Sequence, residues 1–560
     1  MRPLLQGAHA PNGDEPRGHT IWRASNKLCN HGRHLMKTLR FQYSVRGARL
    51  WTRLLVSPAL ALLVLPACTD LEESPTSVIT PDNFYQNEQE VIGGLAAVYF
   101  LLNHDGALSE YYNVSQVSSD EMIVPTRGSD WFDNGRWLEI QRHTWTANSP
   151  SGLSDANPIW VKSYRGISRA NVLLAALENV VVANEEIIAA EARTLRAFYY
   201  YMLMDMFGGV PIVETVEIEP RARNSRAEVF QFIADELNAA RADLPDTWPA
   251  DQHGRMTKGA TDAILANMYL NAAVFTSDAP SATSYNSCTS VQVGGQSACQ
   301  AAADAADRLL TSPFYNLAAD WRSNFEFDNY ASTENIMVTK FLAQDGLGLN
   351  FIHRALHYNQ FDPSPWNGFA ALAETYNAFD ADDQRRQIFL EGPQVNVETG
   401  DPVNDRGGAP LVFTVDIQDE TQAGEGEGTR IMKWPADPNH VAQHNGNDFA
   451  WFRLGGMYLI KAEAEFEMGN AGEALTLLNT LRGRVFDPDE PLAAVDLDVI
   501  LQERLFELTG EAKRRQDLIR HGKYTQAWSF KVVGEAHRVL MPIAQPQLDA
   551  NPMLAQNSGY

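Results

Sequence analysis

The stretch AWFRLGGMYLIKAEAEFEMGNAGEALTLLNTLRGRVF, from Ala450 to Phe486, decides the fold. In its first half Phe452, Leu459, Ala462 and Phe466 recur on one helical face. In its second half Ala474, Leu478, Leu481 and Val485 follow four-three-four spacing and share a face too. Between them Gly469 ends one helix and Asn470 opens the next. Two amphipathic helices joined by so short a turn form a hairpin. A lone hairpin cannot bury its apolar stripe, so it must stack on further helices, as in tetratricopeptide-type arrays.

Working outward, the same periodicity predicts helices over 86–103, 157–179, 185–207, 225–243, 257–275, 299–311, 450–468, 471–486 and 496–521. Ser225-x-x-Glu228 is a capping box. The run Phe198-Tyr199-Tyr200-Tyr201 points all around its helix, which makes it core rather than a binding stripe; Gly208-Gly209 and Pro211 end that helix. Two regions lose the helical period: 113–146, rich in Trp, Asp and Gly, and 331–445, which mixes Pro, Gly, Asn, Asp and aromatics and includes DETQAGEGEG. The expected fold is all-α dominated, a tetratricopeptide-like helix-pair scaffold with long irregular loop segments and few short strands. Residues 81–560 form its single domain, with scaffold over about 81–330 and 446–525 and ligand-binding loops at 113–146 and 331–445.

Charge narrows the partners. The chain of 560 residues carries a formal −25, and from Cys68 onward it has 35 basic against 68 acidic residues. Such a body repels phosphate backbones, so nucleic acid is not an expected partner. The first 67 residues run the other way. Arg40, Arg46, Arg49 and Arg53 precede an apolar run, Leu54 to Ala67, that is too short to cross a bilayer but suits a signal-peptide core. It ends in Leu65-Pro66-Ala67-Cys68, which resembles a bacterial lipobox. The expectation is a signal peptide over 1–67, with 1–35 ahead of the natural start at Met36-Lys37, then a lipidated Cys68 and a flexible acidic tether over 68–80. In an oxidising compartment, Cys288 and Cys299, which bracket CTSVQVGGQSAC, are a candidate disulfide. A metal site there is disfavoured because no His or second Cys pair stands nearby.

Two stretches hold the chemistry of a binding site. SSDEMIVPTRGSDWFDNGRWLEIQRHTW, Ser118 to Trp145, sets Trp131, Phe132 and Trp137 among Asp120, Arg127, Asp130, Asp133 and Arg136; YNQFDPSPWNGF, Tyr358 to Phe369, repeats the mixture. A sugar ring stacks its C–H face on an aromatic while its hydroxyls need planar donors and acceptors. The chosen ligand contacts are Asp120, Arg127, Trp131, Trp137, Tyr358, Trp366 and Phe369, although either tryptophan of the first stretch could instead plug the scaffold. DDQRR at 382–386 is taken as a solvated helix end. Glu503, Arg504, Glu507, Glu511, Arg514 and Arg515 include opposite charges three or four apart, which pair on a helix; they are read as an ion-pair network pinning the last helix to the scaffold, not as paired catalytic acids.

Six blocks, in order, resemble the SusD-like (RagB/SusD) family of nutrient-uptake lipoproteins. They are Trp160-x-x-x-Tyr164-x-x-Ile167-x-x-Ala170-Asn171; RTLRAFYYYMLMDMFGGVPIV from Arg193; TKGATDAILANMYLNAA from Thr257; Asn447-Asp448-Phe449 with RLGGMYLIKAEAEFEMGNAGEAL; Glu503-Arg504-Leu505-Phe506-Glu507 through Arg514 and Asp517 to Lys523; and Met541 to Tyr560. Departures are Pro542-Ile543-Ala544 for the usual PIP, and Thr509-Gly510-Glu511-Ala512 for a Phe-Glu-Gly run. The resemblance implies a lipid-anchored protein on the outer face of the outer membrane. It would bind an oligosaccharide and deliver it to a SusC-like TonB-dependent transporter. Peptide capture is the family's alternative. A surface glycoside hydrolase is the enzymatic alternative, but no motif places two facing carboxylates, and neither HExxH nor GxSxG is present, so no catalytic residue is assigned. No cofactor is expected; the many aspartates would suit calcium, but no EF-hand spacing occurs.

Overall fold

From Thr194 to Phe207 every residue of one helix is buried, the mark of a helix packed on all sides. Its hydroxyls are satisfied inside the core: Tyr199 donates to the Val98 carbonyl (2.6 Å) and Tyr201 to Gln516 (2.9 Å). This helix belongs to an array of twelve to which we give labels: α1 (Glu88–Tyr99), α2 (Leu108–Val117), α3 (Arg136–Arg142), α4 (Asn157–Leu177), α5 (Glu185–Phe207), α6 (Arg226–Arg241), α7 (Lys258–Leu270), α8 (Ala298–Leu310), α9 (Leu454–Glu467), α10 (Ala471–Arg482), α11 (Leu497–Leu508) and α12 (Arg514–Arg520). Packing runs from neighbour to neighbour: α1 on α4, α4 on α5, α5 on α6, α6 on α7, α7 on α8, α8 on α9, α9 on α10. That is how a stack of hairpins buries stripes that no single hairpin could. The computed structural model describes residues 85–103 and 105–560, all within the unit Thr76–Tyr560. The expected signal peptide over 1–67, Cys68 and the tether lie outside the described residues.

The array is helix-dominated, with strands of two to five residues, as the periodicity predicts. The capping box forms, with Ser225 and Glu228 each bonded to the other's backbone N–H. Asn470 sits at the start of α10 without capping it, since its amide donates instead to Glu465 (2.7 Å). Cys288 and Cys299 are disulfide-bonded.

Three local expectations need correction. The helix expected from 450 starts only at Leu454, because Phe449–Arg453 is a strand, β4, paired antiparallel with β2 (Asn335–Thr339). Aromatic and β-branched residues favour such half-turned, packed positions over a helix end. The region 113–146, expected to be irregular, contains the last half of α2 and all of α3. The long helix expected over 496–521 breaks at 509–513, where Gly510 and Ala512 adopt positive φ of 83° and 59°.

The break has an electrostatic cause. It swings Glu511 inward to accept from Arg453 (2.8 Å) and Lys433 (2.5 Å). Arg453 also pairs with Glu334 (2.8 Å) and Glu507 (2.6 Å), and Arg484 meets the same two acids. Arg385 joins Asp383 (2.8 Å), Glu503 (2.6 Å) and Glu507 (3.0 Å). Arg385 and Glu507 are fully buried and Asp383 nearly so, while Asp382 and Gln384 are exposed, so DDQRR is not a wholly solvated helix end; alternate residues turn into the interior. The expected ion-pair network pinning the last helix to the scaffold forms, with its partners drawn from across the fold rather than from three or four residues away. Arg504 reaches Asp517, Arg514 reaches Asp120 and Arg515 reaches Asp205. Burial pushes the Glu507 carboxyl up, but Arg484, Arg453 and Arg385 together hold it far below the usual range.

Glu121 shows the opposite balance. Its carboxylate accepts from Gln116 (2.9 Å) and from the Gly510 N–H (3.1 Å), with no direct cation partner, and burial pushes its pKa up to about 8. Because the unfolded chain releases this proton near the ordinary carboxylate value of 4.5, the folded state binds more protons between the two values. Its contribution is therefore intact at low pH and is lost as pH rises toward 8, at roughly 1.4 kcal/mol per unit. Glu121→Gln removes that slope. Urea unfolding from pH 5 to about 8.5 checks it; equal slopes for variant and parent would refute it.

Candidate functional site

Two antiparallel two-residue strands bring the predicted stretches together. β1 (Met122–Ile123) pairs with β3 (Ala370–Ala371), Met122 facing Ala371 and Ile123 facing Ala370. The chain leaving β1 and the chain entering β3 therefore start side by side, although almost 250 residues separate them in sequence. Cross-links extend the pairing outward. The Trp131 indole N–H donates to the Trp366 carbonyl (2.5 Å), and the Tyr358 hydroxyl donates to Asp130 (2.6 Å). Arg127 donates to the carbonyls of Asn367 (3.0 Å), Glu427 (2.7 Å) and Gly424. That last residue belongs to a third segment, the acidic Gly-rich 404–427, which closes the ledge along one side.

Trp131 is the keystone. Its ring meets Trp137 edge-on at 5.4 Å and Phe369 at 5.9 Å, and those two meet each other at 5.4 Å. It lies directly over Gly368, where an added Cβ would stand 2.4 Å from two of its ring atoms. Its backbone is left-handed, φ 63°, followed by Asp133 at 40° and Asn134 at 57°. Non-glycine residues adopt this region at a cost of about 1–3 kcal/mol each, and such strain persists only where surrounding contacts over-determine it. The product of the turn is Phe132, which stands 56% exposed beside the half-buried Trp131. Trp366 and Tyr358 are half-buried on the facing segment.

Polar groups rim the aromatics. Arg406 lies 4.0 Å over the Tyr358 ring and pairs with Asp130 (3.2 Å) and with Glu425. Burial pushes Glu425 up, but the Arg406 backbone N–H, His357 and the Arg406 guanidinium outweigh it and hold its pKa at about 2. His357 accepts the Asn359 N–H on Nδ1 (3.2 Å), which leaves Nε2 to donate to Glu425 (2.9 Å). The ring is therefore the neutral tautomer, and burial lowers its pKa. Burial together with Asp130 raises the Tyr358 hydroxyl to about 12, so it remains a donor.

Of the seven expected ligand contacts, the structure places Trp131, Tyr358 and Trp366 on this ledge. The other four are corrected. Arg127, Trp137 and Phe369 are buried, at 1%, 4% and 5% exposure, and serve as the ledge's underside. Asp120 is held bidentate by Arg514 (2.7 and 2.8 Å), which ties it to α12. Phe132, Arg406 and Glu425 were missed. Phe132 stood in the quoted stretch with no signal to separate it from its neighbours, and DETQAGEGEG gave no hint that Glu425 faces the two aromatic stretches. Recesses also open elsewhere: one of about 290 Å³ beside Phe100, Leu342 and Leu347, another of about 220 Å³ beside Glu463 and Arg520. Among the described residues no group of three or more His, Cys, Asp or Glu is placed to hold a metal, and no helix is long and apolar enough to cross a membrane.

Fold and site together define an α-helical repeat scaffold that displays an aromatic ledge on its irregular loops. The SusD family model matches residues 333–560, and a second family model, described as starch-binding associating with outer membrane, matches 95–270. SusD-like protein P25 of Formosa agariphila is 24% identical over 88% of this chain and 96% of its own length. The starch-binding protein SusD of Bacteroides thetaiotaomicron is 24% identical over 80% and 85%. Among solved structures, a laminarin binding SusD-like protein superposes with a TM-score of 0.66 at 25% identity, over 85% of this chain and all of the other. Surface glycan-binding protein A from Bacteroides thetaiotaomicron, in complex with laminarihexaose, shares the fold with a TM-score of 0.67 at 20% identity, over 84% of this chain and all of the other. The chain belongs to the SusD-like family.

Proposed function

We propose that this protein binds a glycan on its aromatic ledge and delivers it to a SusC-like TonB-dependent transporter, from a lipid-anchored position on the outer face of the outer membrane. The observation that carries the reading is the convergence of three loops at Trp131, Trp366, Tyr358, Asp130 and Arg406, with Phe132, the chain neighbour of Trp131, exposed. An open ledge suits a polymer, whose C–H faces stack on the rings while its hydroxyls meet the charged rim. The relatives agree in kind, since one is named starch-binding and one solved structure laminarin binding. A role without catalysis fits the rim: a glycosidase needs one carboxyl with a raised pKa, whereas Glu425 is held at about 2, and the raised Glu121 lies buried.

The test is binding of laminarin and starch by the chain from Thr69, beside Phe132→Ala. Phe132 is half-exposed, so its removal leaves the fold intact while weakening binding by about tenfold, roughly 1.4 kcal/mol. Unchanged affinity in that variant would remove the ledge from the reading. Release of reducing ends would identify a hydrolase, and capture of peptides but of no glycan in a wider panel would identify the family's other ligand class. Co-purification with a transporter tests delivery.

A further inference from the structure

We infer that the ledge accepts neutral glycans and rejects sulfated or uronate-bearing ones; this rests on the glycan-binding reading and sharpens it to a ligand class. Recognition of a sulfate or carboxylate needs an arginine fork or a lysine with valence to spare. At this ledge each arginine is either buried or has its charge met by a carboxylate. Arg406 is shared by Asp130 and Glu425. Arg136 is bound to Asp155 and Arg142 to Glu420. Arg127 and Arg430 are buried; Arg127 donates to three carbonyls, and Arg430 to the Asn367 side chain (2.7 Å) and the Glu425 carbonyl (2.9 Å). No lysine occurs in 118–135 or 357–429.

What remains is negative. Residues 387–429 contain nine Asp and Glu and a single cation, Arg406. The segment adjoins the rings directly. Asn404 accepts from Asn359 (2.7 Å), Arg406 covers Tyr358, and the Glu420 carbonyl accepts the Thr126 N–H (2.9 Å). Asp133 and Asp419 are exposed, and Asp405 half so. A neutral sugar meets acceptors for its hydroxyls. An anionic sugar meets like charge within a screening length of about 8–10 Å and finds no counter-charge to replace its water.

Laminarin and the same polymer after chemical sulfation, titrated at low and high ionic strength, test this with matched backbones. The neutral form binds with little dependence on salt. The sulfated form binds about tenfold or more weakly at low salt, and the gap narrows as salt rises. The double variant Asp405→Asn, Asp419→Asn, in which both amides still accept the local backbone bonds, narrows the gap at low salt as well. A sulfated form that binds as tightly as the neutral one, or whose binding weakens with salt, overturns the selectivity and leaves glycan binding standing. Failure of both forms, of starch and of a wider neutral panel overturns both readings.

Discussion

Gly368→Val is expected to abolish most glycan binding while the protein stays folded. A side chain at 368 must occupy space 2.4 Å from the Trp131 indole, far inside van der Waals contact. Trp131 cannot slide away cheaply. Its indole N–H is bonded to the Trp366 carbonyl, its ring is wedged against Trp137 and Phe369, and its backbone is already in the left-handed region. Relief must come from expelling the ring, which displaces Phe132 next to it. Overpacking of this kind costs about 1–3 kcal/mol of stability, which a domain with so large a core tolerates. Affinity should fall at least tenfold, about 1.4 kcal/mol, for laminarin or whichever neutral glycan binds best. Gly472→Ala is the matched control, because nothing lies within 4 Å of its added Cβ and it sits on the exposed side of α10. Undiminished binding by Gly368→Val would show that Trp131 does not shape the ligand site.

Arg453→Met should be the most destabilising single change outside the hydrophobic core. The guanidinium is 1% exposed and reaches Glu334, Glu507 and Glu511, which lie in two distant parts of the chain. Removing it strands carboxylates where water cannot reach, and breaking a buried pair in this way costs about 3–5 kcal/mol. The loss appears as a lower urea midpoint at neutral pH. It shrinks in acid, because protonation relieves the stranded charge. Arg453→Met with Glu507→Met restores the charge balance and recovers part of the loss, since the penalty comes from imbalance rather than from absent attraction. A double variant less stable than the single one would argue against this account.

The network also explains how the loop-rich region is held. Glu334, Asp383, Arg385 and Lys433 lie in or beside 331–445, whereas Glu503, Glu507 and Glu511 follow the last hairpin of the array. Fixing those segments from below leaves their opposite side free to carry the ledge. A buried ion cluster is less stabilising than a packed apolar one of equal volume, but it accepts only one arrangement of its charges.

The helical array was legible without coordinates because amphipathic spacing reports directly which face of each helix needs a partner. The buried aromatics at 198–201, the capping box at 225–228 and the hairpin around Gly469 follow from three or four neighbouring residues. The composition of the binding stretches was legible for the same reason, since sugar recognition needs aromatics beside planar polar groups. Direction was not. Trp131 and Trp137 are six residues apart in the same stretch, yet one is half-exposed and the other sealed. Arg385 read as a solvated charge yet sits at the centre of the interior, and nothing in DETQAGEGEG marked Glu425 as the acid that rims the ledge. Local pattern determines what an element needs to bury. Which residues of an irregular loop face outward depends on partners hundreds of positions away, here Trp366, Gly368 and Arg406, and only the closed chain brings those within reach.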